Sequence, residues 1–418
     1  MTAAGRLELT DEESELAAGA AGPAAALAMR ILIVAARTQQ APRLVPIAAA
    51  HVDSCLYHGG SSLDFVQRLI DGGGQVRVPT TLNVGGIDLG RPDLFVGPRS
   101  ERDAAGRLME KYVELGCQPT YTCAPYQLPG RPQSGVDVAW AESNAIVFGN
   151  SMIGLRTNRY GDLIDICAAI AGRVPYSGLH VPENRAAGVV FSVASDLADV
   201  DADLRPALLG LHVGLRAGSL IPVLAGLPAS EVTEDWGKAF GAAVASTGGV
   251  AMFHVAGATP EAPDIETALQ GREPRRHEFV TAEDLRTVHR EVMTAATNAR
   301  LGGVSVGTPH LSRAELRELA DEFAGRRAVV PTFATTSRAV VSAEPAAVAR
   351  LEASGVVIVR DTCTYGPTKV LDPDGAMMTN SAKWAYYAPA HLGYQVVLAN
   401  RLDCVESAVR GRIVTGHD

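Results

Sequence analysis

The sequence has no run of lysine and arginine, no pair of closely spaced cysteines, and no uncharged apolar stretch of bilayer-spanning length. Without a basic stripe, and with a net charge of −9, nothing is arranged to neutralise a phosphate backbone, so nucleic acid is not an expected partner and a small molecule is. A membrane span asks for about 20 consecutive apolar residues, and a secretory leader for a basic then apolar start. Here the chain opens "MTAAGRLELTDEESE", which is acidic. No membrane association is expected, and the expected compartment is the cytoplasm. The six cysteines lie at irregular spacing, which does not describe a disulfide framework in a chain this long and leaves free thiols or metal ligands. Internal repeats, low-complexity tracts and obvious linkers are also missing.

What is present is alternation. The balance of 47% hydrophobic and 20% charged residues over 418 positions suits a folded chain with two or three α/β lobes. Thr10 and Glu13 have capping-box spacing, and residues 23–37 read as a helix with proline in its first turn, although "RILIVAAR" alone fits a strand. "RLVPIAAAHV" (43–52) reads as one buried strand. "SSLDFVQRLIDGGG" reads as a helix with Leu63, Val66 and Ile70 on one face, and "QVRVPTTLN" as a further strand. The rhythm recurs: a helix stopping at Gly116, a strand over "QPTYTC", a buried strand over "AIVFG", and a helix over "YGDLIDICAAIAG". Later come a capped helix over "TAEDLRTVHREVMTAATNARLGG", a strand, loop and helix with a box at Ser312 and Glu315, and a helix then strand over "PAAVARLEASGVVIVRDTC". Such alternation implies largely parallel sheets covered by helices. Residues 257–279 read as a surface excursion between lobes.

Position sorts the cysteines. Cys167 and Cys404 fall within helices and Cys117 follows a helix stop, whereas Cys55, Cys123 and Cys363 each follow a strand. Ligands of open α/β sheets collect beyond the carboxyl ends of strands, and thiolates are the usual ligands of iron–sulfur clusters. Buried, inert thiols remain the alternative. A second concentration of chemistry is residues 139–162, where Glu142, Ser143, Asn144, Asn150, Ser151, Arg156, Asn158 and Arg159 surround short apolar runs. Arginine binds carboxylates with two prongs and amides fix orientation, which suits a pocket floor. Turn formation is the plainer reading.

"ESNAIVFGNSMIGLRTNRYGDLIDICAAIAGRVPYSGLH", with "VPTTLNVGGIDL", "YTCAPYQLPG", "GTPHLS" and "MMTNSAKWAYYAP", resembles the aconitase X family, in its large subunit or catalytic portion, from about residue 9 to about residue 413. The resemblance implies an aconitase-like, multi-lobe α/β/α catalytic unit that removes water from its substrate with an iron or iron–sulfur centre. A 2Fe–2S cluster is expected ahead of mononuclear iron or a 4Fe–4S cluster. It also implies Cys123 and Cys363 as ligands, Glu142 and Ser143 at the substrate, and Lys383 near them. Archaeal members, which act on phosphorylated mevalonate, carry "GCPH" and "SGVSY" where this chain has Thr308 in "GTPH" and Cys55 in "DSCLYHGG". Cys55 is therefore expected as the replacement third ligand. The same departure favours the bacterial type, which dehydrates cis-3-hydroxy-L-proline, since no lysine, arginine or glycine-loop signal for phosphate accompanies it.

On that reading Arg156 or Arg159 holds the substrate carboxylate, and Asn83 and Ser143 orient the ring. Asn150, Ser151, Asn158 and Ser381 complete the pocket, and Glu142 or His310 handles the proton of the departing water. His310 fits a bond to a loop carbonyl equally well. Aconitase-like enzymes close over the substrate with a small swivelling domain, so a separate small subunit is expected, as a candidate source of the proton-abstracting serine. A phosphomevalonate dehydratase large subunit and a non-catalytic relative binding a metal or amino acid are the alternatives.

Overall fold

Side-chain caps fix where several helices begin. The Thr10 hydroxyl accepts from the Glu13 N–H at 3.2 Å and Glu13 answers to the Thr10 N–H at 3.0 Å, opening helix Asp11–Ala18. The Ala-rich run is helical over Pro23–Thr38 and buries Ala28, Met29 and Leu32; sixteen residues at helical spacing outweigh the strand-like "ILIV" inside it. Reciprocal caps also open Ala282–Val292, from Thr281 and Asp284, and Arg313–Phe323, from Ser312 and Glu315. The former stops at Val292, short of the run read from the sequence.

The computed structural model describes residues 7–296, 298–364 and 374–416. Contacts divide the chain into two units, Met1–Gly86 with Gly97–Ala186, and Ile87–Val96 with Ala187–Asp418.

In the first unit β1 (Leu44–Pro46), β2 (Ala50–Val52), β3 (Thr80–Leu82), β4 (Ala139–Trp140) and β5 (Arg173–Pro175) form a parallel sheet of order β3-β2-β4 and an antiparallel pair β1-β5. The segment expected as one strand is thus two. After Pro46 the Ile47 N–H bonds to Gly172 and the Ala48 N–H to Asp137, which passes the chain from one sheet to the other. "QPTYTC" is not a regular strand either: Gln118 bridges Thr81, the Thr120 hydroxyl takes the place of a ladder partner to the Leu82 N–H at 2.9 Å, and Tyr121 turns with φ 42°. "AIVFG" is helical, within Ser143–Phe148, because the Glu142 carboxylate accepts the Ala145 N–H at 2.7 Å and starts a helix.

The second unit contains β6 (Val189–Val193), β7 (Pro222–Ala225), β8 (His254–Val255) and β9 (Arg276–Val280) in the order β8-β7-β6-β9. It also contains β10 (Leu301–Leu311), β11 (Thr332–Thr336), β12 (Val357–Val359), β13 (Ala376–Thr379) and β14 (Val396–Leu398) in the order β12-β11-β10-β13-β14. Every pairing in both sheets is parallel. Val304, Val306, Leu316, Met378 and Val397 lie in the core of the larger one. Residues 257–279 are not an excursion between lobes: they include helix Ile265–Leu269 and most of β9, inside this unit, with Ala262 and Ala268 in its core. Among the described residues no single helix is long and apolar enough to cross a membrane.

Candidate active site

Strand register lines up the polar groups of the first unit. His51 on β2 stands opposite Thr81 on β3 and Trp140 on β4. Side chains two residues apart share a face, so Asp53, Asn83 and Glu142 form the next row, where the three strands end. The Asn83 amide donates to the Asp53 carboxylate. Glu142 accepts the Ala145 N–H through one oxygen at 2.7 Å and the Ser143 hydroxyl through the other at 3.2 Å. Asp53 keeps some contact with solvent, but protein removes most of its hydration; that burial, and then the charge of Glu142, push its carboxyl up to about 7. Below it, His51 bonds the Thr81 hydroxyl through Nδ1 at 2.8 Å, and burial pushes its imidazole down to about 4, so it is neutral near pH 7.

The turn after β2 is clamped from behind. Buried Asp165 accepts the N–H groups of Asp53 at 2.7 Å and Ser54 at 3.0 Å, and the Ser54 hydroxyl at 2.8 Å; Tyr112 donates to that hydroxyl at 2.8 Å. Cys123 is tied to the neighbouring helix through its carbonyl, which accepts the Asn144 amide at 3.1 Å. Cys55 is fully buried, with its sulfur 3.3 Å from the Asn83 carbonyl oxygen and 3.7 Å from those of Val52 and Val84. Burial, then Asp53 and Asp165, push this thiol well up. Three carbonyl oxygens around a sulfur suit an S–H and repel a thiolate.

Much of the polar loop expected to floor a pocket satisfies its own backbone. Asn150 exchanges bonds with the Thr157 main chain at 2.9 and 3.0 Å, and Asn158 bonds the Ser177 carbonyl at 3.0 Å and the Leu179 N–H at 2.7 Å. Buried Arg185, which sequence reading passed over, donates to the carbonyls of Leu179, Asn150 and Leu155 at 2.9 to 3.1 Å. These two asparagines are loop clips, so their assignment to substrate is corrected. Arg156 bridges Asp137, at the start of β4. Five strand residues, roughly 16 Å, separate that level from Glu142, which places Arg156 away from the strand-end row. Arg159 is exposed, while Ser151 is buried and Ser143 half-buried.

The second unit carries the remaining candidates. Cys363 is half-buried just beyond β12. Before it, Asp361 turns with φ 63° and is gripped by the Arg338 guanidinium, with 2.7 Å at Oδ2. His310 Nε2 donates to the Thr362 carbonyl at 3.2 Å, the plainer of its two expected roles. Ser381 caps helix Ala382–Leu392 through the Trp384 N–H at 3.0 Å and donates to the Thr308 carbonyl. A small pocket of about 40 Å³ is bordered by Thr308, Ser381, Lys383 and Lys238. Lys238 was not anticipated. Burial opposes its charge, but Glu315 and Asp235 outweigh that and hold it protonated, and its ammonium reaches the His310 carbonyl at 3.4 Å.

Thiols are suitable donors for iron; Cys363 lies just beyond β12, whereas Cys123 follows a segment that is not a regular strand. Cys55 in its observed surroundings does not suit that role, and among the described residues no three His, Cys, Asp or Glu side chains stand together as a metal site.

Models of the aconitase X first, second and third domains match residues 6–183, 187–290 and 301–410. The chain belongs to the aconitase X family. It is 44% identical over 98% of its length to cis-3-hydroxy-L-proline dehydratase of Pseudomonas aeruginosa, covering 71% of that protein, and 39% identical to the enzyme of the same name from Hypocrea jecorina, covering 97% of this chain and 69% of that one. The phosphomevalonate dehydratase large subunit of Thermococcus kodakarensis is 33% identical, with 96% and 99% of the two chains covered. The holo-form crystal structure of Thermococcus kodakaraensis aconitase X superposes with a TM-score of 0.86 at 31% identity, over 96% of this chain and 100% of that one. This aconitase X chain is accordingly an α/β dehydratase, a hydro-lyase. Sequence reading passed over His51 and Asp53; period-two alternation along "AHVD" is the signal that puts them on one face.

Proposed function

We propose that this aconitase X chain dehydrates cis-3-hydroxy-L-proline to 1-pyrroline-2-carboxylate in the cytoplasm. The observation that carries the reading is the strand-end row of Asp53, Asn83 and Glu142, two carboxyl groups and an amide with no cation among them. Such a row suits a ring bearing a secondary ammonium and a neutral hydroxyl, and it is a poor host for a phosphate. The 44% identity to the Pseudomonas hydroxyproline enzyme, against 33% to the Thermococcus phosphomevalonate subunit, agrees with it.

In the reaction the C–H bond at Cα and the C–O bond at C3 break. The proton and hydroxyl leave as water, and the enamine formed shifts a proton from nitrogen to C3 to become the cyclic imine. Glu142, held at both oxygens by the Ser143 hydroxyl and the Ala145 N–H, is assigned to handle the proton of the departing water. Asn83 orients the ring. The base that takes the Cα proton is assigned to a small partner subunit; the Thermococcus relative is itself named a large subunit. Cys123 and Cys363 are the thiols assigned to an iron or iron–sulfur centre, which when bound would add Lewis acidity toward the departing oxygen.

Exchange of Glu142 for Gln retains an oxygen able to cap helix Ser143–Phe148 and removes the ionisable carboxyl. The expected outcome is a kcat lowered by roughly 10²- to 10⁴-fold with unchanged helix content by circular dichroism. A kcat within threefold of the parent removes Glu142 from proton transfer.

A further inference from the structure

The turn that leads out of β12 is held in an unfavourable shape. The Thr362 N–H bonds back to the Arg360 carbonyl at 2.6 Å around Asp361, whose φ is 63°. A bond from i to i+2 about a positive φ belongs to the rarer and more strained hand of the γ-turn, and glycine is the residue that adopts positive φ without cost. An aspartate stands there instead. Strain of this kind persists where surrounding groups over-determine the backbone, and it concentrates at functional sites.

Asp361 is 1% exposed, and its carboxylate holds the turn. Oδ2 accepts from Arg338 Nη2 at 2.7 Å and from the Leu89 N–H at 3.2 Å, and Oδ1 accepts from Arg338 Nε. A second carboxylate braces the other side. Buried Asp88 accepts the Arg360 N–H at 2.7 Å through Oδ2, and the Gly90 and Arg91 N–H groups at 2.9 and 3.1 Å through Oδ1. Each acid thus accepts from the backbone of the other's segment. Beyond the turn the Thr362 carbonyl accepts from His310 Nε2 at 3.2 Å, and the Thr364 hydroxyl meets that of Ser305 on β10 at 2.6 Å. Arg360, Asp361, Thr362 and Thr364 are all pinned, and the half-buried residue they frame is Cys363. A turn that only redirected the chain would need neither the strain nor the braces.

Resting on the assignment of Cys363 to the iron centre, we propose that Asp361 is a positioning residue: with Arg338 and Asp88 it locks the strained turn and so fixes the Cys363 thiol in place before metal arrives. A donor held in advance loses less freedom on binding.

The test uses the full chain, purified anaerobically, as parent, Asp361→Asn and Arg338→Met. Asparagine tolerates positive φ, so Asp361→Asn removes the ionic grip and leaves the turn accessible. Two quantities are read: the concentration of EDTA that removes half the iron and, after iron removal, the rates at which iodoacetamide labels Cys363 and Cys404, by peptide mass spectrometry. Asp361→Asn is expected to lower the EDTA midpoint by roughly ten- to a hundredfold. It is also expected to raise the Cys363 rate by about tenfold while the Cys404 rate stays within twofold of the parent. Arg338→Met, at a half-exposed guanidinium, is expected to do the same and supplies the reading if Asp361→Asn does not fold. A merely structural role would raise both labelling rates together; that result, or a Cys363 rate equal to the parent's, overturns the positioning role. A Cys363→Ser chain that keeps the parent's iron and EDTA midpoint overturns the assignment of Cys363, and the role in iron binding with it, a failure told apart by a labelling contrast that persists.

Discussion

His51 joins the stability of the first unit to pH. Its imidazole is held neutral by burial, with a folded value of about 4 against the ordinary 6.5 of a solvated histidine. Below 6.5 the unfolded chain binds a proton that the folded chain refuses, so the contribution is fully present above 6.5 and is lost as pH falls toward 4. Linkage puts the loss at about 2 kcal/mol between pH 7 and pH 5. His51→Gln should therefore lose about that much less stability than the parent over the same interval, measured by urea unfolding at the two pH values. Equal losses would mean that His51 titrates as an exposed histidine does. Arg156 makes the complementary case at the same scale. Its residue type suggested a carboxylate clamp, but its place beside Asp137 at the start of β4 predicts that Arg156→Ala changes KM for the hydroxyproline less than threefold.

Helices Arg205–Ala217 and Glu234–Thr247 touch where glycine removes a side chain. A Cβ built on Gly210 would lie 2.5 Å from the Phe240 carbonyl oxygen, and one on Gly214 would lie 2.9 Å from that of Val244. Backbone cannot yield as a flexible side chain does, so Gly210→Ala should destabilise the protein by about 1–3 kcal/mol, despite the better helix propensity of alanine. A lowered thermal midpoint checks this; a raised one shows that the helices can separate. Elements of this kind were legible where caps and long periodic runs coincided, as at Thr281, Ser312 and Pro23. They were not legible where a side chain stands in for backbone. Glu142 makes a helix of the strand-like "AIVFG" by capping it, and the Thr120 hydroxyl completes a ladder that its own main chain does not. Asn150 and Asn158 in the polar loop at 139–162 were not separable in the sequence for the same reason: an amide bonded to its own backbone has the same composition as one that faces a ligand.

Across the molecule each unit carries candidates of its own, Asn83, Cys123 and Glu142 in the first and His310, Cys363, Ser381 and Lys383 in the second. The thiols separate by environment. Cys167 and Cys404 lie within helices Ile164–Ala171 and Arg401–Arg410, where burial pushes both up. Cys123→Ser and Cys363→Ser should lower iron per chain, measured by atomic absorption after anaerobic purification, while Cys167→Ser and Cys404→Ser keep the parent value. Equal iron in all four would withdraw the assignment of Cys123 and Cys363. The central claim is the substrate, and the most direct measurement is product analysis by NMR of the anaerobically purified chain, with and without the proposed small partner subunit, offered cis-3-hydroxy-L-proline and 5-phosphomevalonate in separate reactions. The account predicts 1-pyrroline-2-carboxylate from the first and no change in the second; dehydration of phosphomevalonate with the hydroxyproline left intact would contradict it.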